Sequence, residues 1–202
     1  MIEMLPPGLL LVIGALALPL LPVAMRNLVS LILPLVGLAQ VWMLPENAEL
    51  VLTSFGYDLE LIRVDNLSRI FGIIFHIAAF ISVLYSLHVK DLVQQVSGLA
   101  YAGCAIAAVF AADLISLFLF WEGTAITSVF LVWATRSERA FSTGMRYLII
   151  QVLSGVLLLA GALLHYADTG SLAFGTAWAA EGGAGERAVR GAFAFERLAD
   201  AS

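Results

Sequence analysis

The run DLISLFLFWEGTAITSVFLVWATR, Asp113 to Arg136, restricts this chain more than any other feature. From Leu114 to Ala134, about 21 residues rising roughly 1.5 Å each make a helix of about 31 Å, the thickness of a hydrocarbon core. The only ionisable residue in that stretch is Glu122, far from both ends. The composition agrees with a membrane setting: 61% of residues are hydrophobic and 12% charged, and the mean hydropathy is +0.98. A soluble domain of 202 residues cannot bury that much apolar surface, so lipid must cover it. The fold class that follows is all-α, a polytopic transmembrane helix bundle. The formal charge of -5 is spread over loops without a basic cluster, which argues against a nucleic-acid partner. A single cysteine, Cys104 in YAGCAIAAV, excludes an internal disulfide and reads as a small packing residue. The start, MIEMLPPG, carries Glu3 and neither Lys nor Arg, so it lacks the basic region of a secretory signal.

Length and apolarity predict six spans, near Leu9–Met25, Leu28–Leu44, Ile70–Leu87, Val96–Ala112, Leu114–Ala134 and Met145–Tyr166. Pro19, Pro22 and Pro34 fall in the first two, where neighbouring helices can satisfy the freed backbone groups. Asp113 alone separates the fourth and fifth spans and suits the N-cap of the fifth. The first, third and fifth connections carry Arg26, Lys90, Arg136 and Arg139, while the second is rich in acids. By the positive-inside rule the odd connections are cytoplasmic and both termini lie outside, in the cell inner (plasma) membrane. The second connection, Pro45–Asn66, alternates enough for a short β-hairpin outside the bilayer; a loop capping the helix ends fits the same residues.

A charge at the centre of a span costs about 2.5–3.5 kcal/mol on insertion scales, so Glu122 asks for a reason. Burial disfavours the charged form of a carboxyl unless a cation is near, and a group poised between two forms can accept and release a proton. The alternative is a protonated acid that only binds a neighbouring helix. Ser116, Gly123 and Thr127 share one narrow arc at ~100° per residue, small and hydroxylated, which suits close helix contact or water. His76 in the third span has the side chain of a proton relay, or is a neutral imidazole bonded to a backbone carbonyl. Gln151 and Gln40 can hold helices together or orient water. Arg146, one turn inside the sixth span, either snorkels to the interface or serves as the cation for a buried acid. Asp65, Asn66 and Ser68 read as helix-start chemistry. No metal-ligand spacing, P-loop, dinucleotide fingerprint or nucleophile elbow occurs, so no cofactor, metal or catalytic chemistry is expected of this chain.

Three phrases in order carry a resemblance. VDNLSRIFGIIFHI, DLISLFLFWEGTAITSVFLVW and MRYLIIQVLSGVLLLAGALLHYADTGSLAF resemble the third, fifth and sixth helices of the antiporter-like subunits of complex I (NADH:quinone oxidoreductase) and of Mrp-type cation/proton antiporters. YSLHVKD and FWEGTAITSVFLVWATRSERAF are most similar to the D-type Mrp subunit. The resemblance spans roughly Leu5 to Phe174 and implies that Glu122 is the proton-translocating glutamate. It implies a working lysine on a seventh helix, and partners that include lipid, other membrane subunits, protons and Na+. It makes Arg146 stand where the family often has Lys, and an Arg does not readily give up its proton.

Residues 1–174 then form the family-like transmembrane domain, and 175–202 a polar Ala/Gly-rich tail. That tail, GTAWAAEGGAGERAVRGAFAFERLADAS, shows no apolar span and no lysine. It reads as out-of-frame sequence of a truncated product, or as a native short variant. Three functions stay open: a subunit of a Na+/proton antiporter, an antiporter-like subunit of complex I, and a non-transporting scaffold.

Overall fold

In a computed structural model, which describes residues 5–45, 49–54 and 57–172, the later helices start at oxygen-bearing side chains that close their first turns. Asp65 accepts from the Ser68 amide at 2.6 Å and opens α3, Asn66–Ser86. Ser68 Oγ answers by accepting from the Asp65 amide at 2.9 Å, completing a reciprocal box. Asp91 opens α4, Leu92–Phe110, and Asp113 opens α5, Leu114–Trp133. Ser137 opens α6, Glu138–Thr169, by accepting from the Ala140 amide at 3.1 Å. Orphaned amides at a helix start have no water to turn to near the lipid, so such caps matter more here than on a wet surface.

Among the described residues five helices are long and apolar enough to cross a membrane: Val23–Met43 (α2) and α3 to α6. The predicted span Leu9–Met25 needs correction. It is a short helix α1, Leu9–Ala17, then a 3-10 turn Leu18–Leu20 that contains Pro19; Pro22 caps α2, which takes Val23 to Met25 for itself. Two prolines three residues apart remove two backbone donors and stop the helix. The broken segment still traverses the bundle. Leu5 O accepts from Gln40 Nε2 (2.7 Å) near the end of α2, whereas Asn27, at the start of α2, donates to Leu87 O (3.3 Å) beyond α3. The sixth predicted helix is longer than expected, 32 residues, and its first turns lie outside the apolar stretch.

The connection between α2 and α3 is a hairpin: β1, Glu49–Ser54, pairs antiparallel with β2, Tyr57–Arg63. Ile62 and the following Val64 are buried against the helix ends, which explains the alternation seen in the sequence. The bundle is otherwise all-α, and the polypeptide is a multi-pass membrane protein.

Neighbours in sequence pack as neighbours in space from α2 to α6, and α1 lies against both α2 and α4. The α1–α4 contact brings backbone close to backbone. Gly8, with φ +91°, comes so near α4 that an added Cβ would meet Gly103 O and, at 2.6 Å, Ala107 N. Phe110 fills the space left by Gly72 of α3, and a Cβ there would lie 2.7 Å from Phe110 Cε2. Outward surfaces are greasy: Leu157 and Leu164 on α6 are 66% and 69% exposed, as suits lipid or further apolar partners.

Two faces of the bundle can be told apart by their bonds. Arg136, after α5, pairs with Asp91, before α4. Gln95 Nε2 donates to Asn27 Oδ1 at 3.0 Å, so the first, third and fifth connections gather at one face. At the other, Arg69 donates to Leu44 O, and the Leu114 amide donates to Leu172 O beyond α6.

Candidate functional site

Glu122 lies in the middle of α5, half-buried and turned toward α6. The α5–α6 pair is antiparallel, and its register follows from glycines. Gly144 and Gly155 are eleven residues apart on α6, as Trp133 and Glu122 are on α5. Eleven residues make just over three full turns, so each pair sits on one face. Trp133 fits against Gly144 and Glu122 against Gly155. A Cβ on Gly155 would overlap Glu122 Oε1 and lie 2.6 Å from Cδ. Between these two contacts Ser128 Oγ donates to Tyr147 Oη at 3.1 Å across the pair.

The carboxyl therefore enters a notch in α6, and there its Oε1 is buried with no hydrogen-bond partner. Among the described residues it has no ion-pair partner either. Buried polar atoms in folded proteins are nearly always hydrogen-bonded, so an unpartnered one calls for an explanation. Water or a further polar group can reach such an atom only by entering the α5–α6 interface.

The other candidates are dispersed. Thr127 donates to Gly123 O of its own helix at 2.7 Å, and Gly123 comes within 2.7 Å of Cys104 Sγ on α4 if given a Cβ. The small arc of α5 is therefore a helix contact, and Cys104 is the packing residue expected. Gln151 is half-buried one turn before Gly155, on the α6 face that meets α5. Arg146 is exposed. It precedes Gly155 by nine residues, hence by roughly 13.5 Å and half a revolution, so the α5–α6 interface does not bring it to Glu122. His76 is fully buried between α3 and α2, with Nδ1 2.7 Å from Gly72 O and the ring against Gly37. Nδ1 donating to that carbonyl leaves Nε2 as an unpartnered acceptor. That is the backbone-bonded imidazole, at a different helix interface from Glu122. Gln40 joins α2 to the start of the chain and acts as glue. A cavity of about 470 Å³ among α2, α3 and α4, lined by Asn27, Ser30, Phe75, Ser82 and Gln95, includes neither Glu122 nor His76.

Gly155 was not singled out by sequence. Its signal is the small buried stripe Gly144, Gly155 and Ala162 of α6, the two glycines at the α5 contact, but the matching acid becomes visible only once the register of two helices is known.

The bundle shares its fold with chains of two larger membrane complexes. It matches a chain in the structure of the membrane-bound sulfane sulfur reductase (MBS), an archaeal respiratory membrane complex, with a TM-score of 0.75 and 23% identity. It matches a chain of the Mrp complex from Dietzia sp. DQ12-45-1b with a TM-score of 0.73 and 21% identity. The matched regions cover 85% and 83% of this chain, but only 29% and 20% of those larger chains. Among curated proteins, none matches in sequence. Residues 111–193 match the family described as NADH:quinone oxidoreductase/Mrp antiporter, TM. The match contains Glu122, α5 and α6, and extends past the boundary at 174 into the tail, which lies outside the described residues.

Proposed function

We propose that this chain is a proton-translocating membrane subunit of a multisubunit Na+/proton antiporter, in which Glu122 takes up and releases the proton. One observation carries the reading. The sole ionisable side chain of α5 is held at the α5–α6 interface with a buried oxygen that nothing occupies. A scaffold contact would be served by a satisfied side chain, and leaving a buried polar atom unpaired costs on the order of 1–3 kcal/mol. The carboxylate accepts a proton from water on one side and returns it on the other. Among the described residues no hydrogen bond or ion pair holds its buried oxygen, so onward transfer draws on water or on other polypeptide. Reconstituted by itself, this chain passes no protons. The odd connections face the cytoplasm, where their arginines and Lys90 belong by the positive-inside rule, and both ends face outward across the plasma membrane.

Whether an ion gradient or electron transfer drives the subunit is settled by one experiment. Everted vesicles containing the assembled complex receive a Na+ gradient without any electron donor, and internal pH is followed. Exchange of protons for Na+ is the expected result. Proton movement that requires an electron donor would overturn the antiporter assignment in favour of a quinone-reducing assembly.

A further inference from the structure

The notch that receives the Glu122 carboxyl exists because residue 155 has no side chain. Glycine inside a helix costs about 1 kcal/mol relative to alanine, so what each glycine of this 32-residue helix makes room for is informative. α6 supplies its own comparison. Gly161 is exposed and nothing lies within 4 Å of where its Cβ would be, so that glycine gives room to no neighbour. At Gly155 the neighbour is neither lipid nor an apolar side chain. It is the carboxyl of Glu122, with Cδ 2.6 Å and Oε2 3.3 Å from the site of the missing Cβ. The buried Oε1 is the atom nearest to that point.

We propose that Gly155 is a positioning residue for Glu122: its bare backbone is the seat that fixes the carboxyl against α6 at the centre of the α5–α6 interface. The functional half of this rests on reading Glu122 as the proton carrier. A methyl group at 155 cannot coexist with the carboxyl in its seat. The side chain then rotates away from α6, and its oxygens meet a different set of neighbours. A displaced reacting group of this kind loses efficiency steeply, with misplacement by about 1 Å costing on the order of 10²-fold.

The test uses the full chain in its native membrane complex, with Gly155→Ala, Gly161→Ala as control, and Glu122→Asp combined with Gly155→Ala. Two quantities are read: proton transport, and the infrared carboxyl band assigned to Glu122 by its loss in Glu122→Gln. Gly155→Ala is expected to move the band and to lower transport by roughly tenfold or more, while Gly161→Ala changes neither. The aspartate of the double variant is one methylene shorter, clears the new methyl group, and regains part of the lost transport. If Gly155→Ala does not assemble, the double variant is expected to assemble again, and its failure to do so would overturn the proposal. A Gly155→Ala band and transport rate equal to those of Gly161→Ala would overturn it as well, with the role of Glu122 untouched. Transport that survives Glu122→Gln would remove the proton-carrier reading instead, and the band shift would still report on the seat.

Discussion

Asp65 and Glu122 show two opposite uses of a carboxyl within one chain. At Asp65 the Ser68 amide, 2.6 Å away, holds the carboxyl below its ordinary value of 3.8, with further help from the Ser68 hydroxyl and Arg63. Because the folded state prefers the ionised form, this cap contributes stability above pH 3.8 and loses it as pH falls through the lowered folded value. Asp65→Ala should therefore destabilise the protein by about 1 kcal/mol near neutral pH, and by less in acid. Thermal melts in detergent at both pH values check this, and an equal deficit at both would contradict it. Glu122 has no such donors on its buried oxygen, and that contrast was only half legible in sequence. That an acid stands alone in an apolar run can be read directly. That Arg146 faces away, and that Gly155 makes the seat, depends on how two helices are rotated against each other, which spacing within one helix does not specify.

At the level of helices, close approach rather than apolar bulk sets the packing. Gly103 of α4 meets backbone on α1: a Cβ there would lie 2.7 Å from Gly8 O and 2.9 Å from Val12 N. Backbone cannot swing aside as a side chain can. Gly98, on the same helix, has only Leu131 Cδ2 at 3.9 Å. Gly103→Val should thus cost about 3 kcal/mol, while Gly98→Val should be close to neutral, since valine is a somewhat better helix former than glycine. Unfolding midpoints of the two variants in detergent measure the difference, and similar losses would contradict the close contact of α1 with α4. The five long helices and the Asp113 cap were readable because length, apolarity and an oxygen-bearing residue at a boundary are local signals. The break in the first span was carried by Pro19 and Pro22, which a tolerant view of prolines in membrane helices passes over. The hairpin stood level with a capping loop because a two-stranded ribbon draws its stability from what it packs on, and here that is the helix ends.

Across the whole molecule the layout is a sequence of helix pairs with chemistry confined to separate interfaces: His76 between α2 and α3, Glu122 between α5 and α6. Of the two, only the Glu122 interface lies within residues 111–193, the part that matches the antiporter family. The matched regions are only 29% and 20% of those larger chains, so a place for Glu122 in a path across the membrane is itself a proposal. The measurement that bears most directly on the account is proton flux driven by an imposed ion gradient, in membranes where the complex carries Glu122→Gln and its assembly has been verified by native electrophoresis. Glutamine keeps the shape and the helix contact but can neither take up nor release the proton. The account predicts that flux falls to the background of membranes lacking the chain while assembly is unchanged. Flux that persists at the wild-type rate would show that Glu122 is a helix contact, and would contradict it.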